Sequence, residues 1–92
     1  MIKNIFKYNL ETTDKQIVNL PKGAEILSIK VQRGEPKLWA LVDSNEPLEE
    51  RIIEIFGSGH DIHYDMGVER KFICTYQQLN GSFVGHVFER IN

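Results

Sequence analysis

The sequence predicts an all-β domain, a small antiparallel sandwich or partly open barrel of about seven strands. Short apolar runs recur along the chain, turn residues separate them, and several runs alternate apolar and polar side chains. The 92 residues are expected to form one domain, spanning 1–92. A composition of 41% hydrophobic and 26% charged residues is typical of a globular chain rather than a disordered one.

The first four strands are expected at 2–10, 15–20, 25–32 and 38–42. In the third strand, Leu27, Ile29 and Val31 alternate with polar residues, so they are expected to face the core. The fourth strand is apolar on both faces, because Trp39 and Leu41 lie opposite its core-facing residues. Such a strand is expected to be buried on both sides or to have one face in an interface.

Residues 44–56 fit either a helix or a strand. A helix would have Pro47 near its first turn, Glu49 and Glu50 near its positive end, and Gly57 after its last residue. A strand would cover residues 51–56, with its apolar side chains on both faces. The residues alone leave both alternatives open.

The strands are expected to follow one another largely as a meander, which ends in a hairpin at Asn80-Gly81, flanked by strands at 69–77 and 82–91. This turn fixes the register between the two strands. The expected cross-strand pairs are Leu79 with Ser82, Gln77 with Val84, Tyr76 with Gly85, Thr75 with His86, Cys74 with Val87 and Ile73 with Phe88.

Charge and composition exclude several classes of function. The net charge of −2 is not that of a duplex nucleic-acid binder. The single cysteine, Cys74, allows no internal disulfide, and its position within a strand indicates a core residue. No apolar run is long enough to span a membrane, and Lys3 and Lys7 interrupt any signal-peptide core, so a cytoplasmic location is expected.

Four segments together resemble a family of small uncharacterised all-β proteins that bacteriophages and prophages commonly encode. They are residues 20–28 (LPKGAEILS), 38–43 (LWALVD), 57–60 (GSGH) and 85–89 (GHVFE). The resemblance covers nearly the whole chain. It implies a phage source and a strand rather than a helix at residues 51–56, and it implies no activity or site.

The candidate ligand site is the loop formed by Gly57, Ser58, Gly59 and His60, with Trp39 as an aromatic partner. Glycines permit positive φ, and successive backbone N–H groups in such a turn can hold an anion. Ser58 and His60 would add hydrogen bonds, and Trp39 would stack on a base. The alternatives are a bend that needs glycine for its geometry and a tryptophan that packs in the core.

Other groupings carry less chemistry. The segment 60–65 contains two histidines and two aspartates, but its spacing matches no metal motif, so no metal or cofactor is predicted. No Gly-x-Ser-x-Gly elbow surrounds Ser58, and no catalytic residue is predicted. His86, on an apolar strand face, is expected to be a hydrogen-bonded core or interface residue.

The expected function is therefore that of a non-enzymatic phage-type accessory protein that interferes with a host process. It would sequester a small anionic, nucleotide-like signal in a homo-oligomer, because a small domain with several strands must protect its edges. The alternative is an inhibitor that docks directly on a host protein. Trp39 would anchor it and an acidic patch would assist, formed by Glu46, Glu49, Glu50 and Glu54. A small hydrolase or metal-dependent enzyme is a third hypothesis.

Overall fold

Two antiparallel sheets form a sandwich-like fold in a computed structural model that describes residues 1–64 and 66–91. The strands are β1 (Asn4–Asn9), β2 (Lys15–Pro21), β3 (Glu25–Gln32), β4 (Glu35–Val42), β5 (Leu48–Gly57), β6 (Arg70–Gln78) and β7 (Phe83–Arg90). The all-β prediction is confirmed. Within the described residues, no helix has the length and apolarity needed to cross a membrane.

Neither sheet closes into a barrel across the described strands, so the sandwich is the observed alternative. One sheet has three strands in the order β1-β4-β3, and the other has four in the order β2-β5-β7-β6. Chain neighbours pair only in the hairpins β3–β4 and β6–β7. The chain changes sheet after β1, β2 and β4, and β7 lies between β5 and β6 in the four-stranded sheet. This topology places residues distant in sequence side by side.

The core lies between the two sheets. From β4 it contains the predicted set Leu38, Ala40 and Val42, and from the facing sheet Ile53 and Val87 are fully buried. These residues alternate with outward-facing ones along each strand, as the pleat requires.

Residues 48–57 form a strand, so the helical interpretation of residues 44–56 is wrong. The strand pairs on both sides, with β2 and with β7. Ile53 and Ile55 are buried in the core, while Ile52 and Phe56 are partly exposed on the other face. Residues 52–54 have partners in both neighbouring strands, so pairing within the sheet decides this strand more than local sequence preference does.

Two β-bulges change side-chain directions that strict alternation predicts. In β3 the register shifts between Ile26 and Ser28, and Leu27, expected in the core, is 44% exposed. In β6 a shift between Phe72 and Cys74 places Phe72, rather than Ile73, opposite Phe88. A bulge puts two residues opposite one, so every residue beyond it changes its partner.

The C-terminal hairpin otherwise has the predicted register. The pairs Tyr76 with Gly85 and Thr75 with His86 are confirmed. The backbone N–H of Ser82 donates to the Leu79 carbonyl at 3.0 Å, across the residues Asn80 and Gly81, whose φ angles are 54° and 89°. Positive φ at both central residues is what a type I′ turn requires.

Candidate functional site

The predicted loop begins where β5 ends, and it forms a tight turn. The backbone N–H of His60 donates to the Gly57 carbonyl at 3.1 Å, and Gly59 has a φ of +84°. The His60 ring folds over Gly57, so that a Cβ added to Gly57 would lie 2.8 Å from His60 Cε1. Gly59 thus provides the positive φ of the turn, Gly57 leaves room for the His60 ring, and the His60 N–H is occupied within the turn.

A small cavity of about 160 Å³ lies beside this turn. Its lining residues are Thr12, Thr13, Asp14, Ile55, Gly57, His60 and Phe83. They include a carboxylate from Asp14 and no lysine or arginine. An anion would lack a permanent positive charge here, so this side of the loop offers little for the predicted anionic ligand.

Ser58 points to the opposite side, where it joins a chain of three hydrogen-bonded side chains. Its Oγ lies 2.8 Å from His86 Nε2, and the Oγ1 of Thr75 lies 3.0 Å from His86 Nδ1. His86 is therefore a hydrogen-bonded residue, and both of its ring nitrogens have partners. The sequence register predicted the Thr75–His86 pair, but the contact with Ser58 arises only because β5 lies next to β7.

Trp39 lies on the outward face of the three-stranded sheet, where it is partly exposed. In the register it lies opposite Lys7 of β1 and Ser28 of β3. Gly57 and its turn belong to the other sheet. The structure does not place Trp39 next to the loop that was predicted to share its ligand.

A second cavity, of about 400 Å³, opens on the end of the same sheet that carries Trp39. Its lining residues are Lys7, Gln32, Arg33, Glu35 and Lys37. Three of these side chains are cationic and one is anionic. Arg33 and Gly34 form the two-residue β3–β4 turn, and both have positive φ, of 54° and 82°.

The two lysines of this cavity are held in place. Lys7 Nζ donates to Gln32 Oε1 at 2.9 Å, and Lys37 Nζ donates to Asn9 Oδ1 at 2.9 Å. Lys37 also lies 3.4 Å from Glu35 Oε2, and its side chain is 13% exposed. Fixing a lysine in advance reduces the conformational entropy that it would lose on contacting an anion.

We call the side chains of Lys7, Lys30, Arg33 and Lys37 the basic surface. Lys30 is exposed and pairs with Lys37 in the register. Trp39 lies two residues from Lys37 on the same face, or about 7 Å along the strand. Lys30, Arg33 and Lys37 lie around one turn in the sequence, but Lys7 joins them only through the pairing of β1 with β4.

The predicted acidic patch is only partly present. Glu54 is 6% exposed, and its carboxylate pairs with Arg70 at 2.7 Å and with Arg90 at 3.7 Å. It therefore belongs to an internal ion-pair cluster, which sequence patterning could not reveal. The remaining predicted members, Glu49 among them, lie on or before β5, in the sheet that does not contain Trp39.

Arg70 also fixes the long loop between β5 and β6. Its guanidinium lies 4.8 Å from the centre of the Tyr64 ring and 5.4 Å from that of Phe56, and it donates to the His63 carbonyl at 2.9 Å. The hydrogen bond from Arg70 to Glu54 raises the pKa of the guanidinium above its usual value. The side chain remains charged and holds the loop against the sheet.

Metal-ligating side chains do not cluster in the described part of the chain. No group of three or more His, Cys, Asp or Glu residues there could hold a metal ion. The histidines and Asp61 of the segment 60–65 do not form such a group, and Asp65 lies outside the described residues.

The fold and its surfaces define a small all-β sandwich-like protein with a cationic, tryptophan-bearing sheet face. Comparison with protein families assigns it more closely: residues 1–92 match the model of a domain of unknown function, DUF7352, and the chain belongs to this family. A search of the curated proteins and a search of the solved structures gave no significant match.

Proposed function

We propose that this protein binds a small, phosphorylated, nucleotide-like ligand on the outward face of its three-stranded sheet. The observation that supports this proposal is the cavity at that sheet's end, where Lys7, Arg33 and Lys37 line the same space as the Glu35 carboxylate. Trp39 lies next to it, opposite Lys7 in the register. The proposal keeps the ligand class expected from the sequence and moves its site from the Gly57–His60 loop to the basic surface.

Trp39 would supply the contact for the base. A partly exposed indole on a sheet face is a stacking platform, and stacking contributes about 1–3 kcal/mol per base. Lys7 lies directly across the strand pair, so its stem would border the bound ring. A base stacked on Trp39 would lie on the outward face of the sheet, next to the cations of the basic surface.

The basic surface would hold the phosphates. Charge-assisted hydrogen bonds from Lys and Arg are the usual contacts to phosphate oxygens, and Arg33 can bind two oxygens at once. Lys37 would exchange part of its contact with Glu35 for a phosphate oxygen. The four cations of the basic surface form a local positive patch on a chain whose net charge is −2.

The proposal extends to the biological role and location of the protein. The resemblance to phage-encoded proteins favours an accessory protein whose basic surface sequesters a nucleotide-like signal, without catalysis at that surface, in the cytoplasm of a bacterial host. Subunit association is expected from the exposed strand edges. Direct docking on a host protein has less support, because Glu54 is paired internally and the other glutamates lie in a different sheet from Trp39.

Trp39 is the sole tryptophan, so its fluorescence is a direct probe of the site. Titration with ADP should quench it saturably, adenosine should quench it more weakly, and inorganic phosphate should compete with ADP. Lys37→Gln should weaken ADP binding about tenfold, because one charge-assisted contact is lost. By calorimetry, Trp39→Leu should lose most of the affinity.

The matched control is Lys22→Gln, which removes an exposed lysine from the β2–β3 turn, away from the basic surface. It should bind ADP like the wild type. If ADP gives no saturable signal, or if both lysine variants bind equally, the proposed site is wrong. Native mass spectrometry of protein purified from bacteria would report retained ligand and subunit number together, and a copurified host protein without any nucleotide response would favour the docking alternative.

A further inference from the structure

Ser58, His86 and Thr75 form a hydrogen-bonded chain on the outer face of the four-stranded sheet. The Ser58 Oγ to His86 Nε2 distance is 2.8 Å, and the Thr75 Oγ1 to His86 Nδ1 distance is 3.0 Å. A hydroxyl bonded to an imidazole whose other nitrogen is held by a third side chain is the arrangement of an activated nucleophile. It lies in the sheet opposite the basic surface, so it is independent of the proposed ligand site.

We propose that Ser58 is a nucleophile that His86 activates toward carboxylic esters. Thr75 acts as a positioning residue: its hydroxyl accepts the Nδ1–H of His86, which leaves the lone pair of Nε2 directed at the Ser58 hydroxyl. In this tautomer His86 is the general base.

The surroundings give an ester access to Ser58. Its side chain is exposed, and nothing lies within 4 Å of the position that a Cβ on Gly59 would take. Phe56 lies opposite His86 in the register and provides an apolar wall for the acyl group.

The reaction proceeds in two steps. In the first, Ser58 Oγ attacks the ester carbonyl carbon, its proton passes to His86 Nε2, and the bond to the leaving alcohol breaks as that alcohol takes the proton. In the second, His86 removes a proton from water, the resulting hydroxide attacks the acyl-serine, and the carboxylic acid leaves while Ser58 regains its proton. No metal or redox partner is required.

The test uses the whole chain with 4-nitrophenyl acetate. Release of nitrophenolate should show a burst of one equivalent, and peptide mass spectrometry should find the acetyl group on Ser58. Ser58→Ala should lose the burst, and His86→Gln should slow acylation about 100-fold. Thr75→Val should slow it about tenfold and Thr75→Ser should restore it, a rescue that a purely structural role of Thr75 would not produce.

Ser44→Ala and His63→Asn are the controls, because each removes an exposed residue of the same type outside the hydrogen-bonded chain. Both should react like the wild type. Thermal melting identifies any variant that does not fold. The proposal is overturned if the folded wild type carries the acetyl group on other residues and not on Ser58, or if Ser58→Ala shows an unchanged burst. Both results can be obtained even if the His86 variant is unfolded.

Discussion

The Nε of Arg70 donates to Oε1 of Glu54 at 2.7 Å, and their side chains are only 5% and 8% exposed. Arg70 comes from β6 and Glu54 from β5, with β7 between them. The pair therefore spans three strands and ties the loop that follows β5 to the edge of the sheet. Removing one member of a buried ion pair leaves the other charge without its partner.

Arg70→Met should lower the free energy of unfolding by about 3 kcal/mol, because Glu54 keeps only its longer contact with Arg90. The double variant Arg70→Met/Glu54→Met should be more stable than the single variant, because it buries no unpaired charge. Urea denaturation measures both. Protease cleavage of Arg70→Met should also be faster than that of the wild type between residues 58 and 69. Equal stability of the single and double variants would show that an unpaired Glu54 carries no penalty.

Asn80→Pro should lower the free energy of unfolding by at least about 2 kcal/mol. Asn80 has a φ of 54°, and the proline ring fixes φ near −65°. Asn80→Gly is the matched control and should change stability by less than about 1 kcal/mol, because glycine adopts positive φ freely. A melting temperature of Asn80→Pro equal to that of the wild type would contradict the turn and the register that depends on it.

Cys74 should make stability fall as the pH rises above about 9. Burial raises the pKa of its thiol from the ordinary value of 9.0, and its Sγ lies 3.4 Å from the Ile29 carbonyl of the other sheet. Above that pH the unfolded chain loses a proton that the folded chain keeps, so unfolding is favoured.

Urea denaturation should show that the free energy of unfolding falls between pH ~8 and ~9.5. The fall should be larger in the wild type than in Cys74→Ala, by an amount below about 1 kcal/mol. Comparing each protein with itself cancels the cost of the smaller side chain. Ellman's reagent should react slowly with the folded protein and quickly in urea. Equal losses in both proteins would show that the thiol titrates alike in the folded and unfolded states.

The basic surface predicts that ADP binding weakens as salt is added. Exposed charges are screened over about 10 Å at 0.1 M salt, so raising the ionic strength should lower the affinity. The slope should be smaller for Arg33→Gln than for the wild type, because one cation is lost. Adenosine, which has no phosphate, is the control, and its affinity should not depend on salt.

The sequence by itself determined the strands and the one turn that it marks strongly. Alternation of apolar residues placed Leu38, Ala40 and Val42 in the core, because a strand directs successive side chains to opposite faces. Asn80-Gly81 set the register that brings Thr75 next to His86. Both rules are local, so they can be applied without knowing which strands meet.

Only the tertiary structure decided the pairing of distant strands and the groups that this pairing creates. Ser58 meets His86 because β5 lies beside β7, and Glu54 becomes a buried partner of Arg70 because β6 lies on the other side of β7. Strict alternation of apolar and polar residues also does not predict the two bulges, one of which turns Leu27 outward while the other places Phe72 opposite Phe88. The physical reason is that contacts between strands depend on packing and backbone pairing over the whole fold, whereas sequence periodicity reports only the two faces of a single strand.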